Sequence, residues 1–188
     1  MLAAYLESTG ILSSAEIERV LPYYRERTLK KNEFFIREGE YCREVAFVRS
    51  GIFRSFYGMD NGEEITYCFR FPGEFVTAYS AFITGGPSME NMQAISAATL
   101  AVVRKEDLDR LCEENPSWLR LMKMMAEQEF IGLEKRVFQL QRMQAAERYR
   151  LLLEHQPEYV QNIPLQYLAS YLGISQRHLS RIRKGLVF

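Results

Sequence analysis

Residues 164–184 read PLQYLASYLGISQRHLSRIRK, and this spacing predicts two short helices crossing through a tight turn. Ala169 supplies the small residue where the helices touch, and Gly173, four positions on, takes the turn. Leu168, Leu172, Ile174, Leu179 and Ile182 fill the shared core. Ser175 can cap the second helix. The outer face of that helix then carries Gln176, Arg177, Ser180, Arg181 and Lys184. Such hydrogen-bonding and cationic groups are what a helix needs to read base edges in a major groove. A solvated helical hairpin would share the amphipathic pattern, but it would not require a small residue, a glycine and apolar plugs in these slots.

Working outward, the charge is unevenly placed. The 188-residue chain has 24 basic and 24 acidic side chains, yet the last acid is Glu158. Residues 159–188 carry Arg177, Arg181, Arg183 and Lys184, a net +4, and residues 1–158 carry −4. That end suits an acidic partner, double-stranded DNA above all. Both histidines, His155 and His178, lie late in the chain, so no imidazole precedes residue 155. A proximal-His haem, a His-based zinc site or a Ser-His-Asp triad cannot be built there. Three isolated cysteines, Cys42, Cys68 and Cys112, cannot supply four thiolates for a cluster, and they read as reduced thiols. No cofactor, no metal and no enzymatic activity are therefore expected. The apolar stretches fall short of the roughly 20 residues a bilayer requires, and MLAAYLESTG lacks a signal-peptide pattern. A cytoplasmic protein without a membrane partner is expected.

The composition, 47% hydrophobic and 13% aromatic, suits a folded α+β chain. Residues 1–26 read as helical, with Ser13 and Glu16 spaced for a capping box. Residues 27–105 alternate short apolar runs (FFI, EVAFV, IFRSFYG, ITYCFRF, EFVTAY, NMQAISA and TLAVV) with turn signals, Asp60-Asn61-Gly62 among them. This predicts an antiparallel β-roll of jelly-roll or double-stranded β-helix type, and a generic sandwich would fit the same pattern. Lys105 onward returns to helix, and Asn115-Pro116-Ser117 opens a long one. In it Leu119, Met122, Ala126, Phe130, Leu133, Val137 and Leu140 recur at intervals of 3, 4, 4, 3, 4 and 3. Leu121, Met124, Met125 and Ile131 occupy other faces, so the helix must be covered on more than one side. The roll covers one side and a second copy of the chain is expected on the other, making those seven residues a homodimer interface. A further helix spans about 145–154, and residues 155–158 read as a linker. The domains expected are 1–114, 115–143 and 144–188.

This order of modules resembles the CRP/FNR family, the cyclic-AMP receptor protein family of transcription regulators, over nearly the whole chain. The stretch REGEYCREVAFVRSGIFRSFYGMDNGEEITYCFRFPGEF is similar to the family's cyclic-nucleotide-binding-type roll, with turns at Gly39-Glu40, Gly51, Gly62-Glu63 and Gly73. SYLGISQRHLSRIRK is similar to its helix-turn-helix, where Ser175, Gln176, Arg177 and Arg181 hold positions that meet DNA. The resemblance implies a homodimeric, sequence-specific DNA-binding regulator with RNA polymerase as a further partner. Two departures stand out. Cyclic-nucleotide binders of the family use a Gly-Glu pair for the ribose and an Arg-Ser pair for the phosphate, whereas this chain has Thr77-Ala78 and the region of Ser88-Met89. No Arg or Lys lies between Arg70 and Arg104, and a buried phosphate without a cation is costly. Cyclic AMP is thus not expected to bind in the family's manner. Thr77, Ala78, Tyr79, Ser88 and Asn91 are candidates to line a pocket for another effector, or else ordinary roll surface. The family's winged helix continues into a β-hairpin, but this chain stops four residues after Lys184, so a missing wing is expected.

Ser175, Ser180, Arg183 and Lys184 are expected at phosphates, and Gln176, Arg177 and Arg181 at bases. Arg136, Arg142, Arg148 and Arg150 face flanking phosphates or water in this reading. Glu63-Glu64 reads as solvated turn charge rather than a convergent carboxylate pair. The alternatives are a small-molecule module, cyclic nucleotides included, with a non-functional helix-turn-helix, and a cupin-like enzyme that would need the missing histidines.

Overall fold

The computed structural model describes residues 1–185. By contacts the chain divides into two compact units. One comprises residues 1–57 with 68–126, and the other residues 58–67 with the chain from Glu127 onward.

In the first unit, α1 (Leu2–Ser8) and α2 (Ser14–Val20) precede the strands. The capping box forms as expected: Ser13 Oγ accepts the Glu16 N–H, and the Glu16 carboxylate accepts the Ser13 N–H at 2.6 Å. The helical stretch expected over 1–26 ends earlier, because a 3-10 turn at Leu21–Tyr23 leads into β1 (Arg25–Leu29). β1 is charged and half exposed because it is an edge strand, paired only to β8. Its partner lies some seventy residues away in sequence, so nothing local marks it as a strand.

The remaining strands are β2 (Phe34–Ile36), β3 (Glu44–Ser50), β4 (Phe53–Gly58), β5 (Glu64–Arg70), β6 (Phe75–Val76), β7 (Asn91–Ala94) and β8 (Ala98–Arg104). They form two four-stranded sheets, ordered β1-β8-β3-β6 and β2-β7-β4-β5. The pairings are antiparallel, with Ala46 opposite both Val76 and Val102, and Phe53 opposite Ala94. β3 and β8 are buried on both faces, which is why they read as unbroken apolar runs. Phe47, Val48 and Leu100 of one sheet share a core with Ile36, Phe53, Met92 and Ala94 of the other. Gly51 turns the chain between β3 and β4 at φ +89°, where a Cβ would stand 2.6 Å from the Ala97 carbonyl oxygen.

The run EFVTAY does not form one strand. After β6, Tyr79 opens helix α3 (Tyr79–Thr84), which buries Ala81 and Phe82. The helix is short and its apolar pattern too brief to separate from a strand by period. α4 (Lys105–Glu114) follows β8 directly.

α5 (Pro116–Arg142) starts where the Asn-Pro-Ser signal puts it, with Asn115 Oδ1 accepting the Ser117 N–H at 2.9 Å. Trp118 and Leu121 sit in the core of the first unit. Farther along, Phe130 is 66% exposed and Leu133 57%. In the second unit come α6 (Ala145–His155), α7 (Pro157–Asn162), α8 (Leu165–Tyr171) and α9 (Gln176–Gly185). The linker expected at 155–158 is largely helical instead: His155 ends α6, and Pro157 opens α7 at a position where its missing N–H is harmless. Among the described residues, no helix is long and apolar enough to cross a membrane.

Candidate nucleic-acid interface

α8 and α9 make the helix pair anticipated from the spacing. Leu168, Ala169, Leu172 and Leu179 are buried, and Ile174 and Ile182 are partly so. α8 ends in a Schellman motif: the Ile174 N–H donates to the Ala169 carbonyl and the Gly173 N–H to the Ser170 carbonyl, each at 3.0 Å. Gly173 holds φ +68°, the left-handed conformation the motif demands. Ser175 caps α9, its Oγ accepting the His178 N–H at 3.2 Å.

With Leu179 turned inward, the opposite face of α9 is open. Ser175, Gln176, Arg177, Arg181, Arg183 and Lys184 are exposed and Ser180 is half-buried. No carboxylate lies on α7's last turn, α8 or α9, so the cations of this face have no acid of their own segment to neutralise them. The first turn of α9 also presents backbone N–H groups beside Ser175, a ready anion contact. Chemically, this face can donate to guanine acceptors and to phosphate oxygens. The missing wing concerns the chain end beyond Lys184, of which residues 186–188 lie outside the described residues.

Beside this face stands the tip of the β4–β5 hairpin. The Met59 N–H donates to the Glu63 carbonyl at 2.8 Å and the Gly62 N–H to the Met59 carbonyl at 2.9 Å, closing the Asp-Asn-Gly turn. Ser170 on α8 bonds two backbone groups of β5. Its Oγ accepts the Thr66 N–H and donates to the Glu64 carbonyl, each at 2.9 Å. A cleft of about 500 Å³ runs between Glu63, Glu64 and Ile65 on one side and Gln166, Ser170, Ser175 and Gln176 on the other. Glu63 and Glu64 are thus neighbours of α9, a placement that turn propensity alone does not reveal.

The arginines of the preceding segment behave differently from the expectation. Arg136 and Arg148 are partly buried and bond backbone carbonyls rather than facing water. Arg142 stacks on Phe138 with 4.9 Å between its guanidinium carbon and the ring centre, and Arg150 lies 3.9 Å from Glu154.

In the roll, the Thr77 hydroxyl donates to the Glu44 carbonyl at 2.9 Å. The Ser88 hydroxyl donates to the Glu90 carbonyl at 2.8 Å, and Asn91 Oδ1 accepts the Glu38 N–H at 3.1 Å. Ala78 is buried just before α3, and Tyr79 begins that helix. The polar atoms of Thr77, Ser88 and Asn91 therefore close loops. One residue passed over in the sequence is Arg54 on β4, 1% exposed, with its guanidinium carbon 3.9 Å from the Phe56 ring centre. The roll does hold a buried cation, although it lies outside the segment from 70 to 104, and it is engaged within the fold.

Of the seven residues expected at a dimer interface, Leu119, Phe130, Leu133, Val137 and Leu140 are exposed, and Met122 and Ala126 are half-buried.

Residues 26–115 match the cyclic nucleotide-binding domain family. The chain is 27% identical over 162 residues to the transcriptional activator protein Anr of Pseudomonas protegens, covering 86% of this chain and 63% of that protein. It is 35% identical over 103 residues to Anr of Pseudomonas aeruginosa, covering 54% of this chain and 41% of that one. It thus spans less than two thirds of the length of both relatives. Two solved structures share the fold. FixK2 from Bradyrhizobium japonicum has a TM-score of 0.76 at 23% identity, over 87% of this chain and 84% of that one. The c-di-GMP responsive global regulator CLP of Xanthomonas campestris has 0.74 at 21%, over 93% and 91%.

The chain combines a roll that matches the cyclic nucleotide-binding domain family with a long helix and a helix-turn-helix. Residues 26–115 are thus of the cyclic nucleotide-binding type, and the chain is similar over much of its length to transcriptional activators.

Proposed function

We propose that the chain is a homodimeric, sequence-specific DNA-binding regulator whose roll does not hold cyclic AMP in the family's manner. The observation that carries this reading is the exposed cationic face of α9, which carries no acid of its own, behind a Schellman-closed, Ser175-capped turn. Gln176, Arg177 and Arg181 read base edges, Arg to guanine, while Ser175, Ser180, Arg183 and Lys184 hold phosphates. The exposed apolar stripe on α5 joins two copies. The readers then enter successive major grooves about 34 Å apart on one face of a near-palindromic site. The Thr77 and Ser88 hydroxyls, spent on backbone carbonyls, support a roll without the family's nucleotide contacts. The cytoplasm is the compartment in which such a protein acts, and RNA polymerase is a partner that the family resemblance brings with it.

Selection of bound sequences from random double-stranded DNA, without added effector, tests this reading. A palindromic consensus with half-sites one helical turn apart is expected. Arg181→Ala should cost about 1–3 kcal/mol and relax one base position. Equal losses on the selected site and on random DNA would refute the base-reading role. Rescue of binding by cyclic AMP would refute the reading of the roll.

A further inference from the structure

The turn before the reader helix is held by two cations from two other helices. α8 must dispose of its last four carbonyls. Those of Ala169 and Ser170 are taken within the Schellman motif. Those of Tyr171 and Leu172, immediately before Gly173, are left over. Arg136 on α5 donates through Nη2 to the Tyr171 carbonyl, and its guanidinium carbon lies 3.8 Å from the centre of the Tyr171 ring. Arg148 on α6 donates through Nη2 to the Leu172 carbonyl at 2.7 Å and through Nη1 to the Met143 carbonyl, just past the end of α5. Leu140 of α5 packs at the same turn, 3.5 Å from where a Gly173 Cβ would stand.

Arg148 therefore ties three points together: the end of α5, its own helix α6, and the start of the reader's turn. This placement is not gratuitous surface charge. Burial pulls the Arg148 guanidinium below its usual range, and its Nε is buried without a hydrogen-bond partner. The desolvation is offset by charge-assisted bonds to carbonyls that would otherwise stay unsatisfied.

We infer that Arg136 and Arg148 are positioning residues: by clamping the Tyr171 and Leu172 carbonyls to α5 and α6, they fix the direction of α9 relative to the dimerisation helix and so select the spacing between half-sites. The inference rests on the DNA-reading homodimer proposed above. Its logic is geometric. Adding one base pair moves a half-site by about 3.4 Å and turns it by roughly a tenth of a helical turn. A reader on a loose turn could follow that displacement, and a reader held at two carbonyls could not.

The test uses the full chain and its own selected half-sites, placed at the best spacing and at one base pair more or less. Arg148→Lys keeps the charge but cannot fork between two carbonyls, and Arg136→Lys keeps the charge but loses the planar stack on Tyr171. For each, affinity at the best spacing should fall about tenfold, the loss of one charge-assisted bond. Discrimination between spacings should shrink to about twofold. Binding to random DNA and its salt slope should stay at the wild-type value, because no phosphate contact is removed. Wild-type discrimination retained in both variants would overturn the inference. A matching loss on random DNA with a shallower salt slope would also overturn it, by making these arginines phosphate contacts. Should Arg148→Lys fail to fold, Arg136→Lys decides the matter alone. A wild-type protein with no preferred spacing would instead overturn the proposed function itself.

Discussion

Gly173 and Gly51 both sit at positive φ, yet replacing them has different consequences. At Gly173, with φ +68°, an added Cβ would meet Leu140 Cδ2 at 3.5 Å, an ordinary contact. Only the left-handed backbone penalty remains, so Gly173→Ala should lower stability by about 1–2 kcal/mol in urea unfolding. At Gly51 the same Cβ would meet the Ala97 carbonyl oxygen and Ala98 Cβ at 2.6 Å, and the main chain must shift. Gly51→Ala should therefore cost clearly more than Gly173→Ala, and equal midpoints would contradict this ranking. Glu16 gives a residue-scale pH dependence. Bonds from the Ser13 hydroxyl and N–H, and from the Asn115 amide, hold its carboxyl down to about 2. A carboxyl depressed in the folded state stabilises fully above the unfolded value near 4.5 and loses that contribution as pH falls toward 2. Glu16→Gln should lower the melting temperature at pH 6, with the difference from wild type closing between pH 4.5 and 2. A difference independent of pH would remove Glu16 from the acid transition.

At the scale of elements, α5 is the member whose sequence says most. Its first turns bury Trp118 and Leu121, and its later turns expose Phe130, Ile131, Leu133, Val137 and Phe138. A helix with so many large apolar residues in water calls for a cover. Phe130→Lys should give a chain that sediments as a monomer, keeps the circular dichroism of the wild type, and binds single half-sites but not pairs. A dimeric Phe130→Lys protein would move the interface elsewhere. α5 was legible because its apolar period is long and its start carries Asn-Pro-Ser. β1 and α3 were not. β1 takes its strand character from β8, far off in sequence, and α3 offers only six residues of pattern.

For the whole molecule, the α+β architecture and the α8–α9 helix pair could be read directly, since Gly173, Ala169 and the apolar plugs answer to local geometry. What could not be read joins distant segments. Arg136 and Arg148 looked like diluted surface charge because the carbonyls they hold belong to a turn 35 and 24 residues away. Ser170 gave no sign of the hairpin it meets. Ser170→Ala should speed hydrogen exchange at the Thr66 amide, whose acceptor it removes, and leave amides in β3 and β8 at wild-type protection. Unchanged exchange at Thr66 would mean that the bond is not held in solution.

The Ser170 contact also bears on the making of the protein. β5 is an edge strand, and Ser170 is translated 104 residues after the Thr66 it will satisfy. At ordinary elongation rates that leaves the edge without this partner for roughly 5–20 s on the ribosome. Asp60, Glu63 and Glu64 crowd the tip during that interval. Negative charge on an open edge discourages strands of neighbouring nascent chains from adding to it. The acids at that tip thus place like charge beside a strand whose partner has yet to be synthesised.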